Sequence, residues 1–391
     1  MSVPFYRELD AKCLADVPVV SKAMMLANRQ AFCSDSARLE QLTPHFSSGS
    51  SGIPFTSYFD DGRLARHRSE LVAAYRYLGS DPFGPIVHCR SWIRATRRDR
   101  VSLRLRGQYL YGGEEDEGSI REVARWIARH PGVTLMGMSS LLERLLRSFE
   151  EFDIQVPHGT VAVALAVGEP ASTYLIAAAP RHLGVDLSLR YSNTENGLIG
   201  FARRATQPYH LNTSTHHVEC LDLESDEPAT PGSVGRIVLT DLYNRATPFI
   251  RYDTGDLGRF VTDQRGTPIP NLLAELVGRR SDFPIAGTEQ FPTRGNLYKL
   301  LMAIDSHPAI KQIQLRQNSI GRFKYILNAE RSEELEAGLR FHLDEQIGNI
   351  LECNFEYVSD VPLEPSGKRR FFFCEIPDPE GVLASGNRAA R

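Results

Sequence analysis

Helix-period segments and strand-length apolar runs alternate through the middle of the chain, and this alternation restricts the fold more than any other feature. SSLLERLLRSFEEF, from Ser139, places Leu141, Leu142, Leu145, Leu146 and Phe149 on one helical face. GRLARHRSELVAAYRYLG does the same earlier, with Leu64, Leu71, Tyr75 and Leu78. TVAVALAV from Thr160, VDLSLRY from Val185 and GRIVLTDL from Gly235 are short apolar runs bounded by Gly, Pro or polar residues, which predicts strands. Strands alternating with core-packing helices indicate an α/β domain. At 391 residues and 42% hydrophobic, the chain is long enough for one large domain plus a smaller one.

The texture changes after LVGRRSDF. From about Pro292 to Ile376 the pattern reads helix, strand, strand, helix, strand, turn, strand, with an amphipathic helix at RSEELEAGLRFHLDEQIG. The expected division is therefore 1–282 and 283–391, hinged near Asp282. A net charge of -3 argues against nucleic-acid binding through bulk electrostatics. The local run RATRRDRVSLRLRG clusters Arg94, Arg97, Arg98, Arg100, Arg104 and Arg106, and reads as a solvated sheet face more readily than as a phosphate patch. The six cysteines form no CxxC pair, which suits free thiols in a reducing compartment and predicts a cytoplasmic protein. No run approaches the roughly 18 apolar residues of a membrane span, and the N-terminus lacks the apolar core of a signal peptide. His210, His216, His217 and Cys220 lie close together in sequence, but their spacing fits no zinc pattern and HHVECLDL alternates as a strand does.

Three segments suggest chemistry. In FSSGSSGIPFTSYF, Gly49 and Gly52 can adopt positive φ so that successive backbone N–H groups converge on an anion, while Ser47, Ser48, Ser50 and Ser51 add hydroxyl donors. Ile53 and Pro54 stand where a Walker A loop has Lys and Ser/Thr, and a Ser/Gly connector has the same composition. In LSLRYSNTENGLIG a strand ends at Tyr191, Ser192, Asn193, Thr194 and Glu195, and the carboxyl ends of strands are where α/β sheets bind ligands. The aromatic ring suits a base, and Glu195 suits Mg²⁺, which takes one or two carboxylates plus phosphates. An ordinary polar turn is the alternative. In TPFIRYDTGDLGRF, Asp253, Thr254, Gly255 and Asp256 end an apolar run, where a carboxylate beside Gly suits a ribose diol or closes a simple turn.

With these segments in this order, the chain resembles the adenylate-forming superfamily of acyl-CoA synthetases, luciferases and nonribosomal adenylation domains, and most of all its phenylacetate-CoA ligase and CapK-like branch. SSGSSGIP resembles the phosphate loop, GEP at Gly168, Glu169 and Pro170 the adenine-side loop, and YSNTE the Tyr-Gly-x-Thr-Glu signature. RYDTGDL resembles the ribose motif, GRRSD the hinge, and PLEPSGKRR the C-terminal lysine loop. Three departures stand out. The phosphate loop lacks a lysine, Ser192 replaces a glycine, and only 46 residues precede Ser47, so the N-terminal region looks shorter than in phenylacetate-CoA ligases.

The resemblance implies a large N-terminal adenylate-forming domain with mixed β-sheets and packed helices, and a small mobile α+β lid. It implies that a carboxylic acid and ATP give acyl-AMP and pyrophosphate. Ser47, Ser48, Gly49, Ser50, Ser51 and Gly52 would hold the phosphates, and Glu195 with Thr194 the Mg²⁺. Gly168, Glu169, Pro170, Tyr191, Ser192 and Asn193 would surround the adenine, Asp256 would take the ribose, Arg279 would assist, and Lys368 would stabilise the transition state. Met136, Met138, Leu198, Ile199 and Phe201 offer apolar pocket walls or plain core. The expected substrate is an aromatic acid in antibiotic, even phenazine, tailoring, with a thiol or amine acceptor such as coenzyme A, a carrier protein or an amino acid. A catabolic aryl-CoA ligase and a catalytically silent nucleotide-binding protein are the rival readings. A homodimer is the expected assembly, with no nucleic-acid or membrane partner.

Overall fold

The structure of the chain is a computed structural model that describes residues 3–46, 55–90, 108–113, 116–279, 283–288, 292–294, 309–362, 371–377 and 382. Residues 47–52, the arginine-rich stretch 94–106, Asp282 and Lys368 lie outside the described residues. The chain divides into two compact units, Met1–Val277 and Gly278–Arg391.

The first unit is built on one mixed sheet of eleven strands. Strands β3 (Ile86–Cys89), β4 (Gln108–Tyr111), β5 (Val133–Met138), β6 (Val161–Val167) and β7 (Leu187–Asn193) are parallel, in the order β4-β3-β5-β6-β7. The sheet then continues through β8 (Gly197–Ala202), β9 (Tyr209–Leu211), β13 (Pro268–Arg279), β12 (Tyr252–Thr262), β11 (Gly235–Asp241) and β10 (His216–Leu221). β7 pairs antiparallel with β8, so the direction of the sheet changes at that hairpin. Two short antiparallel strands, β1 (Thr43–Phe46) and β2 (Thr56–Phe59), flank the serine-rich segment in sequence.

Both faces of the parallel half are covered, which is why its strands read as continuous apolar runs. Helices α2 (Glu117–Arg129), α3 (Ser139–Glu151) and α4 (Thr173–Leu183) bury Ile120, Leu145 and Ala178 with Leu135, Ala164 and Leu187 on one side. On the other side Leu78 and Tyr75 of α1 (Asp61–Leu78) pack with Met136, Val163 and Leu165. Asp60 caps α1 through Arg63 N–H (2.7 Å), and Gly79 ends it at φ 94°. The face of α1 that is fully buried is Arg63, Glu70, Ala74 and Leu78, whereas Leu64, Leu71 and Tyr75 are only half-buried. The helical period is as read from sequence, but the first three turns bury charge, at Arg63 and Glu70.

The second unit carries a four-stranded sheet ordered β18 (Glu352–Tyr357), β17 (Arg322–Ala329), β16 (Ile310–Ser319), β19 (Phe372–Cys374). Helix α5 (Glu333–Ile347), the predicted amphipathic helix, packs Leu335, Leu339 and Leu343 on Leu315, Tyr325 and Phe372. Buried Gln317 holds the backbone of Ile285 on both sides, accepting from its N–H (2.8 Å) and donating to its carbonyl (2.7 Å). Strands β14 (Ile285–Gly287) and β15 (Pro292–Arg294) complete it. Among the described residues no helix is long and apolar enough to cross a membrane.

Candidate active site

The β7–β8 hairpin concentrates the predicted residues. A bulge between Tyr191 and Ser192 re-aims the strand before it turns. Asn196 N–H then donates to Asn193 Oδ1 (2.7 Å), closing the turn that carries Thr194 and Glu195. Glu195 is buried, and its carboxylate pairs with no side chain among the described residues. A buried carboxylate normally acquires a partner, so this donor suits a cation whose remaining ligands come from substrate phosphates. Groups of three or more metal-ligating side chains are absent among the described residues. His216, His217 and Cys220 instead alternate along β10.

A charged frame holds this turn from beneath. Arg63, with 0% of its side chain exposed, donates through Nε to Asp241 Oδ2 (2.6 Å), through Nη1 to Glu70 Oε2 (3.5 Å) and through Nη2 to the Asn196 carbonyl. His216 Nε2–H donates to the same carbonyl (3.2 Å), and the Ser57 hydroxyl donates to the Thr194 carbonyl (3.3 Å). Asp241 also accepts from the N–H groups of Tyr243 (2.8 Å) and Asn244 (3.1 Å), and Glu70 from the Thr215 hydroxyl (2.6 Å). Burial alone would raise the Glu70 pKa, but hydrogen bonds and the Arg63 charge outweigh it and hold the carboxyl below its ordinary value. Burial is also the main cause that pushes His216 down to about 4, so the imidazole is neutral at pH 7. Gly197 follows at φ 76°, and a Cβ there would lie 2.5 Å from His67 Nδ1, so both conformation and space require glycine.

The Tyr191 hydroxyl, on β7 before the turn, donates to Asp256 Oδ2 (2.8 Å), joining two of the predicted nucleotide residues across 65 positions of sequence. Thr254 sets Asp256, accepting from its N–H (3.1 Å) while donating to the Ile237 carbonyl (2.8 Å). The start of the same motif has a different task. Arg251, at φ 45°, donates to the carbonyls of Ala15 (3.0 Å) and Val17 (2.8 Å), and Tyr252 packs with Val20 and Phe249, so these two anchor the N-terminal segment. Gly168 turns at φ 78° after β6, and Glu169 caps α3, accepting from the Ser140 N–H (2.9 Å) and, through its carbonyl, from the Ser139 hydroxyl (3.0 Å). Pro170 is exposed beside it. Arg279 ends β13.

The apolar wall residues do not form one group. Met136, Leu198 and Phe201 lie on the α1 side of the sheet, around Leu165 and Tyr75. Met138 packs with the α2–α4 core, and Ile199 with Tyr191, Leu211 and Val218. The Arg63 frame, Glu169 as a cap and Arg251 as an anchor were missed by sequence reasoning. An i, i+7 pair of opposite charges on an otherwise apolar helix face was the available signal for the frame.

No protein-family model matches the chain. Its sequence is 21% identical over 251 residues to Protein CapK of Staphylococcus aureus, covering 62% of this chain and 53% of that protein, so the chain spans about half of this curated relative. Among solved structures, 2-hydroxyisobutyryl-CoA ligase, in its postadenylation state with 2-HIB-AMP, matches with a TM-score of 0.69 at 15% identity, over 100% of this chain and 88% of that one. ATP-bound MatB from Rhodopseudomonas palustris matches with a TM-score of 0.58 at 18% identity, over 85% of this chain and 67% of that one. The fold is therefore the adenylate-forming ligase fold. Its similarity to CapK in sequence accords with the branch that the motifs resemble.

Proposed function

We propose that the protein is an acyl-adenylate-forming ligase. A carboxylate oxygen of the acid attacks the α-phosphorus of ATP, the bond from that phosphorus to the bridging oxygen of the β-phosphate breaks, and pyrophosphate leaves with acyl-AMP retained. The observation that carries this reading is the pairing of Tyr191 with Asp256, together with a buried Glu195, without a side-chain partner among the described residues, in the turn after β7. Such a reaction brings an anion to a polyanion, and so requires alignment and charge neutralisation more than a nucleophile. Tyr191 and Asp256 orient the nucleoside, residues 47–52 cradle the β- and γ-phosphates, and Gly168, Glu169 and Pro170 border the base. Magnesium, when bound at Glu195, would neutralise phosphate charge. Lys368 would meet the charge that develops as pyrophosphate departs, on a second unit that moves as a lid about a hinge near Asp282.

An aromatic acid is the favoured substrate on the resemblance to the phenylacetate-CoA ligase and CapK-like branch alone, because the apolar space beside Leu198 and Phe201, about 10 Å³, is too small to seat it. The acyl group then passes to a thiol or amine, in secondary-metabolite assembly. Coenzyme A is the acceptor in the second reading, favoured by the fold shared with two acyl-CoA ligase structures. Trapping the adenylate with hydroxylamine, then offering coenzyme A, a carrier protein or an amine in parallel, separates these readings. Hydroxamate without turnover on coenzyme A supports amide or carrier loading. A coenzyme A thioester as sole product selects the CoA ligase, and no hydroxamate from folded protein with any acid contradicts adenylation.

A further inference from the structure

The α1 face of the sheet carries positive charge that the adenylation centre does not use. Arg190 on β7 turns its side chain to this face, one residue before Tyr191 turns to the other. Its Nη1 reaches only the Met136 thioether (3.9 Å), and its buried Nε has no partner. No carboxylate pairs with Arg190 among the described residues. Two neighbouring groups among the described residues, His88 and Tyr75, add no negative charge. His88 Nε2 accepts from Arg90 Nε (3.1 Å), which fixes this imidazole as neutral, and the Tyr75 hydroxyl is spent on Met136 Sδ (2.9 Å). Burial, reinforced by Arg90 and Arg190, pushes His88 down to about 3. A guanidinium cannot neutralise itself by losing a proton, so a half-buried one without a counter-ion is costly unless a ligand supplies the anion.

We infer that Arg190, with His88 and Arg90 beside it, forms a subsite for a second anionic group on the acid, so that the preferred substrate is a dicarboxylic or otherwise doubly anionic acid. This rests on the adenylation reading and narrows its substrate class. The space between Leu71, Tyr75, Leu165, Leu198, Phe201 and Arg190 is only about 10 Å³, room for a single water. The anion therefore approaches from the Arg90 side, where Arg90 is exposed and His88 half-buried. Arg190 lies three residues before the end of β7, about 10 Å at ~3.3 Å per residue. An acid activated beside the Glu195 turn and extended along this strand would reach it with its far end, and a fork of N–H donors suits a terminal carboxylate.

Pyrophosphate exchange with length-matched pairs of mono- and dicarboxylic acids, aliphatic and aryl, tests the inference in the parent, Arg190→Lys and Arg190→Met. The parent should favour the diacid of fitting length by roughly ten- to hundred-fold, the scale of one charge-assisted hydrogen bond. Arg190→Met should abolish that ratio and Arg190→Lys restore part of it. Because the unpaired charge is costly in the free protein, Arg190→Met should also melt higher than the parent, where loss of a purely structural contact would lower it. Calorimetric titration of the same acids without ATP reads the preference independently of turnover. No exchange with any acid would overturn adenylation while the titration still decides the subsite. Equal affinity for mono- and diacids in parent and Arg190→Met would overturn the subsite even if exchange is brisk.

Discussion

Arg63→Met removes a cation sealed at 0% exposure between Asp241 and Glu70 while keeping much of its volume. The two carboxylates then face one another without their shared guanidinium, and the Asn196 carbonyl loses a donor. Removing one partner of a buried ion pair costs about 3–5 kcal/mol. The stranded carbonyl adds little beyond that, because His216 still donates to it. For a unit of this size about 1 kcal/mol moves the melting temperature by about 2–4 °C, so a fall of about 6–20 °C is expected. Differential scanning calorimetry of parent, Arg63→Met and Arg63→Lys reads it. The lysine variant keeps the charge without the fork, and should fall between the other two. Glu70→Gln added to Arg63→Met should recover part of the loss, since it removes a carboxylate whose main remaining counter-charge is the half-buried Arg66 at 3.5 Å. A shift below about 2 °C in Arg63→Met, or no recovery on adding Glu70→Gln, would refute the account of the frame.

The other predictions bear on the turn, the nucleotide and the lid. Gly197→Ala must place a Cβ 2.5 Å from His67 Nδ1 at φ 76°, and should destabilise by more than about 1 kcal/mol in urea unfolding, while Gly266→Ala, at φ 80° with nothing near, should cost less. His216 stays neutral in the native chain to about pH 4, whereas an unfolded imidazole takes a proton near 6.5. The unfolded state therefore binds more protons in that window, and stability drops by about 2 kcal/mol from pH 7 to pH 5 on this account. The drop should shrink in His216→Gln, and an unchanged urea-midpoint difference would count against it. Asp256→Ala should weaken ATP ten- to hundred-fold by calorimetry, roughly 1.5–3 kcal/mol, with Tyr191→Phe losing less because the carboxylate survives. Glu195→Gln should spare nucleotide binding without Mg²⁺ and impair the gain on adding it. Lys368→Ala should slow adenylate formation by roughly 10²–10³ with little change in ATP affinity, and near-normal adenylation would remove it from the site.

The parts of the fold that were legible in sequence are those whose burial is apolar and local. Thr160 to Val167 and Gly235 to Asp241 read as strands because both faces of them are covered, and RSEELEAGLRFHLDEQIG as a helix because Leu335, Leu339 and Leu343 recur at its period. Buried charged residues escape a sequence reading where their partners are distant. Arg63 and Glu70 give no local sign of burial, because the groups that make it tolerable, Asp241 and Thr215, lie 178 and 145 residues away. In RYDTGDL, likewise, nothing local distinguishes Asp256, which meets Tyr191, from Arg251, which meets Ala15 and Val17. Met136 and Met138, two apart on β5, would share a face by strand alternation, but Met138 ends the strand as the residue before α3 and packs with the α2–α4 core instead. A run of apolar residues does not disclose where the strand gives way to the helix.

Acid-dependent exchange of labelled pyrophosphate into ATP tests the central claim most directly, because it reads formation of the acyl-adenylate without requiring the acceptor. Exchange should need Mg²⁺ and a carboxylic acid, be lost in Glu195→Gln and Asp256→Ala, and be strongest with an acid whose far end is anionic. Folded protein that binds ATP yet gives no exchange across a broad panel of aryl, aliphatic and dicarboxylic acids would contradict it, and would leave a silent nucleotide-binding protein on the same fold.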